Sequence, residues 1–191
     1  MIIHYSNNFK SGLKVLFDKK PCCIESVEFV KPGKGQVFYR VKLRKLITNQ
    51  LIEKTFRSTD FLYSANIIDT KLTYIYHDDN FWYFMNDKNF DQLSLDKTIV
   101  KNKSKWLIEQ NQYTITLWNE QPISISIKNF VTLQVKRIIS QNKSDYMTNT
   151  KNFQLCQLNT GAIIKVPLFI QVKDMIKIDT RTGEYNSRIK K

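Results

Sequence analysis

Cysteine, glycine, proline and histidine are scarce in this chain. Among its 191 residues there are three cysteines, five glycines, four prolines and two histidines. An odd cysteine count, with Cys22 and Cys23 adjacent and Cys156 distant, is a poor disulfide framework and fits a reducing cytosol. The vicinal pair lacks Cys-x-x-Cys spacing, and His4 and His77 lie far apart, so no metal motif is present. No apolar run approaches 18 residues, which argues against a membrane-spanning helix. The opening Met1-Ile2-Ile3-His4-Tyr5 lacks a charged segment followed by an apolar one, and a cytoplasmic protein is expected. With so few glycines and prolines, each marks a specific turn.

Two of the five glycines fall within three residues of each other. Lys31-Pro32-Gly33-Lys34-Gly35-Gln36 separates two strand-like runs, residues 23–30 and 37–46. The second run alternates. Val37, Tyr39, Val41 and Leu43 share one face; Phe38, Arg40, Lys42 and Arg44 share the other. Two such runs around a Pro/Gly turn read as a β-hairpin. Pro32 fixes its own φ, and the two glycines permit positive φ. Lys34 stands at the tip with nothing local to pack against. Eight residues of strand place that tip roughly 25 Å from the base of the hairpin.

A phosphate-binding loop is excluded at Gly33-Lys34-Gly35. That motif needs Ser or Thr after the lysine and then a helix; here Gly35 and a strand follow. No motif joins a Cys or Ser to a His and an orienting acid, so nucleophilic catalysis has no support. Asp78, Asp79 and Asp87 are assigned to turns. The row Arg40, Lys42, Arg44 suits two readings, a solvated face or a surface tracking a phosphate backbone. Phe38 on that face and Lys34 beyond it favour the second.

The other strand-like runs are short. Residues 14–17 and 51–57 complete a nearly all-β unit, residues 1–64, with 18–21 as a turn. Residues 66–69, 71–77, 81–85, 113–118 and 123–127 read as strands of a second unit, 65–128. One or two helical turns are expected in 91–100 and 103–109, which suggests a small OB-type barrel. In a third unit, 129–191, strands are expected at 130–139, 153–158, 162–166, 169–172, 175–179 and 185–189, with a polar loop at 140–152. No linker is rich in Pro, Gly or Ser, so an elongated, stiff chain of units is expected. The net charge of +13 divides unevenly, at +7, −1 and +7 over these units. Lysine-biased composition explains part of the excess; two basic ends around a neutral middle suggest a polyanion gripped at two places.

Six collinear segments carry a resemblance. They are Glu28-Phe29-Val30-Lys31-Pro32-Gly33-Lys34-Gly35-Gln36, Arg40-Val41-Lys42-Leu43, Glu53-Lys54-Thr55-Phe56, Leu117-Trp118-Asn119 with Gln121-Pro122-Ile123, Lys165-Val166-Pro167-Leu168-Phe169, and Asp179-Thr180-Arg181-Thr182-Gly183-Glu184-Tyr185. Together they resemble the bacterial elongation factor P family over the whole chain. The tip and the tail look like the enterobacterial branch, whose lysine is β-lysylated.

The resemblance implies a mainly β protein of three small barrels, a KOW/SH3-like domain and two OB folds, in an L-shaped, tRNA-like arrangement. It implies a monomer that is not an enzyme and needs no cofactor. Its partners would be both ribosomal subunits and the P-site peptidyl-tRNA, bound between the P and E sites, where the factor relieves stalling at consecutive prolines. Lys34 matches the lysine that a lysyl-tRNA-synthetase-like enzyme extends with a covalent β-lysyl group, with or without a hydroxyl. Lys31, Pro32, Gly33, Lys34, Gly35, Arg40, Lys42 and Arg44 become candidate tRNA and rRNA contacts, as do Tyr185 and Arg188 at the other end. Asp145 is the candidate for an E-site codon loop. That loop reads Ser144-Asp145-Tyr146-Met147-Thr148-Asn149-Thr150, without the family's glycines. Lys173 likewise stands where the family has glycine. The competing reading is a generic OB-fold RNA-binding protein with no modified lysine.

Overall fold

Residues 2–139 and 153–189 are described by the structure, a computed structural model. By its internal contacts the chain divides into two compact units, residues 1–71 with 114–125 and residues 72–113 with 126–191.

The first sheet is six-stranded. Its strands are β1 (Ile3–Tyr5), β2 (Lys14–Phe17), β3 (Lys20–Val30), β4 (Phe38–Lys45), β5 (Leu51–Arg57) and β6 (Phe61–Ser64), in the order β1-β6-β2-β3-β4-β5. The expected alternation shows in burial at the centre of β4, while residues 38–40 are all half-buried. Val41 and Leu43 are fully buried and Lys42 is exposed. They join Val15, Cys22, Ile24 and Leu62 in a core capped by three aromatic rings. Phe9 and Phe17 meet Phe56 edge-on at 5.4 and 6.4 Å between centroids.

The short strands β1 and β6 are absent from the sequence reading. β1 pairs with β6 through Ile3↔Tyr63 and Tyr5↔Phe61, and β6 also pairs with β2 through Val15↔Ser64; strands this short, held by distant partners, carry little local signal. The turn expected at residues 18–21 is only Asp18-Lys19. Both residues take left-handed φ, 49° and 59°, and pairing resumes at once with Phe17 opposite Lys20.

The second sheet runs β11-β10-β7-β8-β9. Its strands are β7 (Ile67–His77), β8 (Phe81–Met85), β9 (Gln92–Asp96), β10 (Gln112–Trp118) and β11 (Gln121–Ser126). The two strands expected at 66–69 and 71–77 are one, because no turn residue separates them. The helical reading of residues 91–100 is corrected in its first half. Gln92-Leu93-Ser94-Leu95 alternates with period two and buries Leu95 against the sheet. The helix α1 (Lys97–Val100) starts only at Asp96, whose carboxylate accepts the Thr98 N–H at 2.7 Å. A 3₁₀ turn, Lys101–Trp106, follows.

The third sheet runs β14-β13-β12-β15-β16. Its strands are β12 (Phe130–Ile139), β13 (Phe153–Leu158), β14 (Ile163–Pro167), β15 (Met175–Asp179) and β16 (Glu184–Ile189). Its core of Leu133, Val135, Leu158, Ile164, Val166, Ile176 and Ile178 also takes in Trp106, which is 1% exposed. Thr160 Oγ1 donates to the Lys105 carbonyl at 2.7 Å beside it.

The strand expected at residues 169–172 is corrected to two successive turns. Pro167 ends β14, the Ile170 N–H turns back to the Pro167 carbonyl, and the Asp174 carboxylate takes the Gln171 N–H. Lys173 sits at φ 73° and donates its N–H to Val135. Glycine in the resembled family therefore matches a left-handed backbone position. Lys173→Gly is expected to raise stability by about 1 kcal/mol, read as a higher urea midpoint; an unchanged or lower midpoint contradicts the strain. The loop expected at 140–152, and Asp145 with it, lies outside the described residues.

Candidate functional site

Strands β3 and β4 pair as far as Val30↔Phe38 and leave a seven-residue connection, 31–37. A register shift between Ile24 and Ser26 marks a bulge in the lower half of the arm. Of the two tip glycines only Gly35 uses positive φ, at 120°. A side chain there would be strained and would meet Pro32 Cγ at 3.7 Å. Gly33 has nothing within 4 Å of where a Cβ would stand, so the space beside it is open. Lys31, Gly33, Lys34, Gly35 and Gln36 are exposed and Pro32 is half-buried. Lys34 makes no hydrogen bond or ion pair with any described residue.

The basic row below the tip is less bare than its sequence. Arg40 reaches Glu28 Oε2 at 3.1 Å and Glu53 Oε1 at 3.5 Å. Arg44 reaches Glu25 Oε1 at 2.7 Å and the Asn49 carbonyl at 3.4 Å. Strand register does this. Glu28 lies opposite Arg40, and Glu53 opposite Lys42. Lys42 is exposed and forms no ion pair among the described residues. The three carboxylates are invisible as partners in the sequence because they sit 12 to 19 positions away along the chain.

The two candidates near the C-terminal end share β16, one inward and one outward. Tyr185 is half-buried and packs on the third core, opposite Ile178. Arg188 is exposed. Its Nη1 reaches Asp174 Oδ2 at 3.4 Å, and its guanidinium lies 5.8 Å from the centre of the Phe169 ring. The turn into β16 is clamped by Asp179, which accepts the Arg181 N–H at 2.9 Å and its Nε and Nη2 at 3.0 and 2.6 Å. These bonds hold the Asp179 carboxyl down at about 2. A depressed acid stabilises the fold above its unfolded value and loses that contribution as pH falls through the folded one. Asp179 is therefore expected to titrate near pH 2 by side-chain NMR. A midpoint in the ordinary carboxylate range, about 3.9, contradicts the clamp.

The cysteines are free thiols. Cys22 and Cys156 are buried, and burial raises both, Cys156 to about 11. Neither supplies a thiolate at neutral pH. Asp78 serves its turn as expected, accepting the Asn80 and Phe81 N–H groups. Asp87 instead joins strands, accepting Thr73 Oγ1 and Gln112 Nε2. No helix among the described residues is long and apolar enough to cross a membrane.

A small β domain that displays a lysine on a β-hairpin, joined to further small β domains, defines the fold class of the molecule. Two solved structures share the fold. One is titled eukaryotic translation initiation factor 5A, from Methanococcus jannaschii (TM-score 0.52, 18% identity, 65% of this chain and 94% of that one). The other is a translation initiation factor 5A family protein from Naegleria fowleri (TM-score 0.51, 16% identity, 66% and 98%). Three family models then account for most of the chain. Residues 6–62 match the elongation factor P KOW-like domain, 67–125 the elongation factor P OB domain, and 131–188 the elongation factor P C-terminal domain. Two curated proteins named elongation factor P are each 57% identical over 190 residues, covering 100% of both chains. They come from Buchnera aphidicola subsp. Acyrthosiphon pisum and subsp. Schizaphis graminum. The chain belongs to the elongation factor P family and is a translation elongation factor of three β domains.

Proposed function

We propose that this factor binds the ribosome between the P and E sites and speeds peptide-bond formation at consecutive prolines through a modified Lys34. The observation that carries the reading is Lys34 itself. It is exposed at the apex of a paired arm, without a partner among the described residues, beside a glycine with open space around it. A lysyl-tRNA-synthetase-like enzyme adds a β-lysyl group to its amine, with or without a hydroxyl. The lengthened cation reaches toward the peptidyl-transferase centre and steadies the CCA end of the P-site tRNA. Prolyl substrates react slowly. Holding the donor in an attack-ready geometry removes entropy from the barrier without covalent chemistry by the factor. The protein works in the cytoplasm as a monomer touching both subunits.

Intact mass and fragmentation of the natively produced protein test the modification. The Lys34 peptide is expected to carry one added lysyl residue; an unmodified peptide overturns this part. The basic row is tested by Arg40→Gln. Both of its ion pairs are solvent-exposed, so stability should change by less than about 1 kcal/mol. Ribosome affinity should fall and its salt dependence become shallower. Unchanged affinity and slope would remove Arg40 from the tRNA-facing surface.

A further inference from the structure

We propose that Phe169 is an RNA base-stacking platform, with Gln154 and Arg188 as its positioning residues. The inference rests on the ribosome-binding reading and adds a contact to the end of the molecule that carries Arg188.

Phe169 is 58% exposed, although β14 has just ended and a turn could have hidden it. The turn that displays it is tightly held. Gln154 Nε2 approaches three carbonyl oxygens, those of Pro167 at 3.4 Å, Leu168 at 3.2 Å and Ile170 at 2.7 Å. The Ile170 N–H donates to the Pro167 carbonyl at 3.1 Å, and its side chain is 1% exposed in the third core. The backbone is therefore fixed on both sides of an exposed ring. Ordering of this kind lowers the entropy lost when a flat ligand stacks.

The ring is also paired with a cation. The Arg188 guanidinium lies 5.8 Å from its centre and is aimed by Asp174 at 3.4 Å. Asp174 Oδ2 meanwhile accepts the Gln171 N–H at 2.9 Å, so this carboxylate is engaged within its own turn. Lys165 and Lys173 are exposed on the same segment, and residues 129–191 carry a net +7. An aromatic ring with an arginine against it, on a basic domain, fits a nucleic-acid base and its phosphate. Leu168 and Val172 are exposed on the same turn, so a protein partner is the competing occupant, which the Phe169→Leu variant below decides.

The test measures affinity of labelled protein for ribosomes holding a P-site tRNA, comparing wild type with Phe169→Ala, Phe169→Leu, Phe169→Tyr and Gln154→Ala. Phe169 lies outside the core, so its variants should fold. Stacking predicts about tenfold weaker binding for Phe169→Ala and for Phe169→Leu. It predicts affinity within about twofold of wild type for Phe169→Tyr, and an intermediate loss for Gln154→Ala. Wild-type affinity in Phe169→Ala overturns the contact while leaving the ribosome reading in place. Wild-type affinity in Phe169→Leu shows an apolar protein contact and overturns base stacking. A wild-type protein that does not bind these ribosomes overturns both.

Discussion

Lys34→Ala is expected to abolish the acceleration of peptide-bond formation at proline runs while leaving the protein folded and bound to ribosomes. The two halves of this expectation have separate grounds. Lys34 is exposed and contributes no packing and no ion pair among the described residues, so stability should change by at most about 0.5 kcal/mol. On the proposed mechanism, binding draws on a surface of many contacts, of which the tip is one, whereas the rate effect draws on the tip alone, where an extended side chain would order the reacting end of the tRNA. Lys34→Arg should fail in the same way. It keeps the charge but offers no lysine amine to modify. Synthesis of a peptide with three successive prolines, followed with and without each variant, reads the result. Full acceleration by Lys34→Ala sinks the proposed mechanism.

Trp106→Ala should give the largest loss of stability, about 3–5 kcal/mol. The side chain is 1% exposed and lies in the core of the third sheet, although it arrives on a 3₁₀ turn far upstream. Most of the core around it is β-strand residues held in register, and Gly183 stands close to the ring, where a Cβ would be 3.6 Å away. The Lys105 carbonyl is tied to Thr160, so the turn stays in place when the ring is removed. Urea unfolding should show a lower midpoint, and Trp106→Phe a smaller drop. A change below about 1 kcal/mol for Trp106→Ala would mean the core repacks.

Much of the candidate site was legible in the sequence, and the reason is local. Alternation along residues 37–44 needs only its own period to be read, and Val41 and Leu43 are buried as it requires. The tip announced itself through Pro32, Gly33 and Gly35, whose backbone preferences act within one turn. The misreadings are non-local. Residues 169–172 have the β-branched and aromatic composition of a strand, but Gln154 and Asp174 bend them into turns. Residues 92–96 sat in a stretch read as helical because their strand partner, β8, lies across a loop. The row Arg40, Lys42, Arg44 looked uniformly basic because its carboxylates belong to β3 and β5.

By itself the sequence determined the β-hairpin, the lysine isolated at its tip, most of the strands and the resemblance to the family. Each of these depends on residue type at fixed short spacing. Only the tertiary structure decided which arginines are paired, that Trp106 fills the third core, and that Phe169 is held in the open beside Arg188. These are matters of register and burial between residues far apart in the chain, and no local preference encodes them. The lysine at the tip is the case where both agree. Local chemistry isolates it, and among the described residues the fold brings no partner back to it.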